Sequence, residues 1–201
     1  MTSNLHMVMH GVAIKKHCAP GAVAPLIGMS LESVADELAA AAQSGRLVVA
    51  DGKYMLSPAG HMILSGEYSR FYADLRKDTN FTNAFERFEL INTELKQLIT
   101  DWQTLEIAGK RVLNDHSNAE YDDKLIGRLG DLHERFEPVL TRMITGEPRL
   151  NCYKEKLTAA LEQAEDGAIE WVSDAKIDSY HTVWFEMHED LLRLLGRERE
   201  E

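Results

Sequence analysis

"RLVVADGKYML", residues 46–56, is the stretch on which the fold turns. Two short β-prone runs flank Asp51-Gly52, a dipeptide suited to a tight type I′ hairpin because both central residues of that turn need positive φ. Working backwards, Ser30 is a good N-cap. Leu31, Val34, Ala35 and Leu38 repeat at i, i+3, i+4 and i+7, and Gly45 stands where a helix would stop. Residues 5–16 read as a first helix, and "APGAVAPLIG" (19–28) gives a short second one punctuated by Pro20, Pro25 and Gly28. Working forwards, "LSPAG" (56–60) puts Pro58 in the first turn of a further helix, where its missing N–H costs nothing.

The rest of the chain has helical periodicity. Phe81, Phe85, Phe88, Leu95, Ile99 and Trp102 follow alternating steps of four and three, with Asn92 in the one remaining seam position. Leu125, Leu129, Leu132, Phe136, Val139 and Met143 do the same, Leu150, Tyr153, Leu157 and Leu161 mark another helix, and residues 178–197 the last. The expected class is mainly α. Three helices and a hairpin in residues 1–65 spell a winged helix, and residues 66–201 an antiparallel helical bundle of about five helices.

The chain has 201 residues, 44% of them hydrophobic, enough for one generous domain or two small ones. No basic start precedes an apolar run near residue 1, and no window approaches eighteen consecutive apolar residues, so a cytoplasmic protein away from membranes is expected. Cys18 and Cys152 lack metal-ligand spacing and read as reduced thiols. Residues 1–65 hold Lys15, Lys16, Arg46 and Lys53 against Glu32, Asp36, Glu37 and Asp51, so the whole net charge of −11 lies beyond them. A helix entering the major groove would present Glu32, Ser33, Asp36, Glu37 and Gln43. Counterion release and guanine reading both want Lys or Arg, so nucleic acid is a poor partner and a protein-docking or dimerisation role fits the module better.

"DSYHTVWFEMHEDLL" (178–192) concentrates the candidate chemistry. With Asp178 as N-cap, the expected buried stripe is His181, Trp184, Phe185, His188, Leu191, Leu192 and Leu195, with Glu186, Glu189 and Asp190 turned to solvent. His181 and His188 lie two turns apart, about 10 Å, too far for one metal ion, for which a helical pair wants i, i+4. They read either as satisfied core histidines or as bases in a ligand pocket. "NDHSNAEYDD" (114–123) brings Asn114, Asp115 and His116 together in a loop, where Asp115 is the carboxylate expected to orient a histidine. Asn92 is either a register device or a polar pocket group. Trp102, Tyr180 and Trp184 are core residues or an aromatic cage. His133, His6, His10 and His17 read as structural or incidental.

"NDHSNAEYDDKLIGRLGDLH" (114–133), "EPRLNCYKEKLTAALEQAEDGAIEW" (147–171) and "DSYHTVWFEMHEDLLRLLG" (178–196) resemble a helical region of bacterial proteins related to phosphoenolpyruvate synthase and pyruvate phosphate dikinase. Relatives include two-component kinases of phenolic compounds, such as phenylphosphate synthase and hydroxyacetophenone or acetovanillone kinases. The resemblance implies an accessory or substrate-binding subunit, inactive alone, beside a large ATP-binding, phosphohistidine-carrying chain that holds ATP and Mg. This chain, which lacks a Gly-rich phosphate loop, would bind no cofactor itself. On that reading His181 or His188, oriented by Asp115 or Asp178, is the base for a phenol, while Asn92, Trp102, His116, Tyr180 and Trp184 line its site. Two other classes stay open: a ligand-responsive winged-helix transcriptional regulator, and an independent bundle enzyme or metal protein using Asp115, His116, His181 and His188.

Overall fold

The computed structural model describes residues 2–107 and 109–198 and is mainly helical. Contacts divide the chain into two compact units, one of residues 2–78 with 188–198 and one of residues 79–187 without 108.

In the first unit, α1 (Asn4–Lys15) starts on Ser3, whose Oγ accepts from the His6 N–H. α2 (Pro20–Ile27) has Pro20 in its first turn and closes on left-handed Gly28. Ser30 caps α3 (Leu31–Gln43), accepting from the Ser33 N–H at 3.2 Å. β1 (Leu47–Ala50) and β2 (Lys53–Leu56) pair antiparallel with Leu47 opposite Leu56 and Ala50 opposite Lys53. The turn between them carries φ of 51° at Asp51 and 73° at Gly52, the pair of positive values its dipeptide foretells. A further bridge, Cys18 to Tyr54, ties the hairpin to the segment between α1 and α2. Val8, Met9, Val12, Val23, Leu26, Val34 and Leu38 fill the core of this unit. Leu31 is more than half exposed, because it sits in the first turn of α3, ahead of the buried stripe.

α4 (Pro58–Phe71) is where the boundary moves from its expected place at residue 65. This helix packs on α1 and β2, burying Leu64 and Tyr68, and so belongs with the N-terminal helices and not with the bundle. Its start is fixed by Ser57, whose Oγ accepts from the Gly60 N–H at 2.9 Å and donates to the Gly45 carbonyl at 2.7 Å. A Cβ on Gly60 would lie well inside contact distance of the Arg46 carbonyl oxygen, which already accepts from the Ser57 N–H.

In the second unit, α5 (Thr79–Gln103) and α6 (Ala119–Gly146) run antiparallel. Arg135 meets Glu94 and Arg128 meets Asp101, so numbers rise along one helix as they fall along the other. All the seam positions foreseen on both helices are buried, Asn92 included. Between them lies a hairpin that the sequence did not announce, β3 (Thr104–Ile107) with β4 (Lys110–Leu113), turning at Gly109. α7 (Asn151–Glu165), the short α8 (Glu170–Ser173) and the first half of α9 (Tyr180–Leu195) complete this bundle. The second half of α9 belongs to the first unit. Among the described residues no helix is long and apolar enough to cross a membrane.

The buried face of α9 differs from the expected stripe. Phe185 is 42% exposed and His181 half-buried, while Tyr180, Val183, Met187, Asp190 and Leu194 join the interior. The helix begins one residue later than foreseen because Ser179, not Asp178, caps it, its Oγ accepting from the Thr182 N–H at 3.3 Å.

Gly60→Ala is expected to cost about 1–3 kcal/mol, the usual toll of overpacking against something that cannot yield. A thermal melt checks this, and an unchanged Tm would contradict the close approach of α4 to the base of the hairpin.

Candidate functional site

The polar positions of the bundle core are closed pairs. Trp184 Nε1 donates to Asn92 Oδ1 at 3.0 Å, and Asn92 Nδ2 donates to Glu89 Oε2 at 3.2 Å. The Trp184 indole packs against Phe88, Phe136 and Tyr180 with ring centroids 5.2, 4.5 and 6.0 Å away. The Tyr180 hydroxyl lies 3.1 Å from His133 Nδ1, and burial pushes its ionisation up while holding His133 below the ordinary histidine value. Asn92, Tyr180 and Trp184 are thus packed against one another in the bundle interior, where a seam Asn persists because the indole N–H needs an acceptor.

An imidazole with outward reach appears at the end of the bundle where α5 gives way to β3 and β4 leads into α6. Asn118 caps α6, accepting from the Tyr121 N–H, so Asp122 falls in its first turn with its side chain directed back to the preceding loop. Asp122 is buried, and its Oδ2 lies 3.0 Å from His116 Nδ1. Asn114 Nδ2 lies 3.0 Å from the Trp102 carbonyl, 3.1 Å from Asp122 Oδ1 and 3.2 Å from His116 Nδ1; its two hydrogens go to the two oxygens, the shorter contacts, while the Asp122 carboxylate needs a donor from the ring. Nδ1 of His116 therefore carries the proton shared with Asp122, and in the neutral ring Nε2 is the acceptor. The His116 ring lies 4.6 Å from the Trp102 ring and is 28% exposed. The backbone of His116 is left-handed, φ 55°, and is held there by its N–H donating to Asn114 Oδ1.

Asp115 does not orient this histidine. Its exposed carboxylate accepts from the Ser117 N–H at 3.1 Å, and hydrogen bonding from the Ser117 hydroxyl, then from that N–H, holds it below the usual carboxylate range. The carboxylate doing so is Asp122, from the same decapeptide. Asp178 pairs with Lys156 at 2.8 Å. His181 lies in the second unit and His188, buried, in the first. Burial alone lowers the His181 ionisation. Among the described residues no group of three or more His, Cys, Asp or Glu side chains is placed to hold a metal ion.

Sequence reasoning passed over a second polar centre, in the first unit. His10 Nε2 lies 3.0 Å from Asp190 Oδ1 and His10 Nδ1 2.6 Å from the Tyr68 hydroxyl, with His10 and Asp190 wholly buried. Facing a carboxylate, Nε2 bears a proton in either charge state of the ring. One turn earlier on α1, His6 Nδ1 lies 2.9 Å from Glu67 Oε2, its ring enclosed by Tyr68, Phe71 and Tyr72. The signal was available: two histidines at i, i+4 on one face of a predominantly apolar helix.

The chain matches none of the family models, curated proteins or solved structures with which it was compared.

Two outcomes follow from these contacts. Trp184→Phe leaves the buried Asn92 oxygen without its donor and is expected to cost about 1–3 kcal/mol, whereas adding Asn92→Leu recovers most of that loss; chemical denaturation of both variants reads the coupling. Because burial holds His181 below its unfolded value, the unfolded chain binds the proton first, and this contribution to stability is present above the unfolded pKa of about 6.5 and lost as pH falls below it. His181→Gln is expected to flatten the drop in Tm between about pH 7 and 5; an unaltered slope would show that His181 is not among its causes.

Proposed function

We propose that this chain is the accessory, substrate-holding component of a two-component, dikinase-like ATP-dependent phosphotransferase acting on a hydroxyaryl compound, inactive by itself. The observation that carries this reading is the His116–Asp122 pair: a partly exposed imidazole, fixed in tautomer by a buried carboxylate and packed against the buried Trp102 ring. A phenol has a pKa near 10, so it attacks well only if its proton is taken as the oxygen reacts. His116 Nε2 accepts that proton and Asp122 steadies the imidazolium. The phenolic oxygen then forms a bond to phosphorus as the N–P bond of the partner's phosphohistidine breaks. ATP and Mg belong to that partner. His116 takes the role first given to His181 or His188, since His188 is buried and His181 is moved by burial without a carboxylate among its causes.

The first unit supports the same division of labour. Three helices, a hairpin and a following helix suit a winged-helix module, and its third helix exposes Glu32, Ser33 and Asp36, with Leu31, Val48 and Val49 also in solvent. Carboxylates repel phosphates, and exposed apolar side chains suit a protein surface.

Affinity purification of the tagged full chain tests this. A large ATP-binding chain is expected to accompany it, and phenol or 4-hydroxyacetophenone should provoke ATP consumption only when both chains are present. In the mixture His116→Gln should lower kcat by about a hundredfold or more. Full activity of the large chain alone, or recovery without an ATP-binding partner, overturns the reading. A salt-dependent shift of DNA from the protein's own promoter would favour a ligand-responsive regulator instead.

A further inference from the structure

We propose that β1 is a dimerisation strand: its open edge pairs antiparallel with β1 of a second copy of this chain, about a two-fold axis beside Val49. The claim draws nothing from His116, which lies in the second unit.

The hydrogen bonds of the hairpin decide which main-chain groups are spare. On the far side of β2, Tyr54 donates its N–H to the Cys18 carbonyl at 2.8 Å and accepts from the Cys18 N–H at 3.1 Å. Tyr54 stands opposite Val49 in the β1–β2 ladder, so these two form a pair that exchanges no bonds across it. Val49 therefore turns its own N–H and carbonyl the other way, out of the open side of β1, where neither meets a main-chain partner among the described residues. Leu47 shares that orientation but is buried, and β1 otherwise packs on α3. The open stretch is thus 48–50, with Val49 at its centre.

This edge is also apolar. Val48 is 45% and Val49 50% exposed, Ala50 is exposed, and no lysine, proline or bulge interrupts residues 47–50 to keep the edge from pairing. Only its shortness restrains it, which places the dimer in the weak class of interfaces. Three features select a second copy as the occupant. A residue that points both main-chain groups outward can exchange both bonds with its own image, Val49 with Val49. That register sets Val48 opposite Ala50 twice over, so each exposed side chain of the stretch meets an apolar one. It also brings the Arg46 end of one strand to the Asp51 end of the other, whereas parallel pairing would set like charge beside like.

Sedimentation of the full chain from about 10 µM to about 1 mM, the span of a weak association, tests this together with amide hydrogen exchange. A reversible monomer–dimer equilibrium is expected, with exchange at the Val49 N–H slowing as dimer forms. Val49→Pro strips that donor from both copies; since the N–H faces outward the hairpin tolerates the change, and the dimer should weaken by about tenfold or more. Val49→Lys sets two ammonium groups opposite one another at an exposed position and should leave a monomer throughout. Val49→Thr, which keeps the main-chain groups and the β-branch, should still dimerise. A Tm equal to that of the unaltered monomer shows that each variant is folded, and if the proline unsettles the hairpin, Val49→Lys decides alone. A chain monomeric at every concentration, a dimer indifferent to Val49→Lys, or slowed exchange at Val49 that appears only with a different protein or with DNA each overturns the proposal.

Discussion

The first unit is organised by a carboxylate with nowhere to go. Asp190 is wholly buried, and His10 Nε2 is 3.0 Å away. A charge removed from water is tolerated only when it is paired, and breaking such a pair from one side typically costs about 3–5 kcal/mol. His10 in turn reaches the Tyr68 hydroxyl, so α1, α4 and the second half of α9 meet in one connected set of polar contacts. An apolar core of Val8, Val12 and Leu64 would hold the same helices together without specifying their register, since hydrocarbon contacts are non-directional. The Asp190–His10–Tyr68 chain supplies that direction.

The second unit uses the same device more sparingly. Along the α5 and α6 seams all but one of the foreseen positions are apolar, and the exception, Asn92, accepts from the Trp184 indole N–H. The loop before α6 gathers a second polar cluster. There a capping Asn118, a left-handed His116 and the buried Asp122 depend on one another, and the result is an imidazole whose free edge is presented rather than enclosed. Polar groups in the seam close on themselves, whereas those at the end of the bundle leave a valence open.

Local rules were enough for much of this architecture. Ser30 as a cap, Asp51-Gly52 as a turn and the steps of four and three from Phe81 to Trp102 each act within a few residues, and each holds. What periodicity could not reveal was which partner a polar residue would find. Asp190 looked solvated because a helical wheel assigns charge to water, yet His10, 180 positions earlier in the chain, makes burial affordable. Asp122 was overlooked in favour of Asp115 because the loop's direction is set by the αL backbone at His116, which sequence spacing does not encode. The β3–β4 hairpin lacks a strong turn dipeptide, and its β-prone residues are too few to stand out from two long flanking helices. His6 and His10 were seen singly, and their spacing carried the clue.

The first unit is assembled from the two ends of the described chain, and this sets an order on its biosynthesis. While a ribosome is still making the bundle, the N-terminal helices and hairpin exist without the aspartate that their buried imidazole requires. That nascent module waits, incompletely cemented, until more than a hundred further residues have emerged and α9 has arrived.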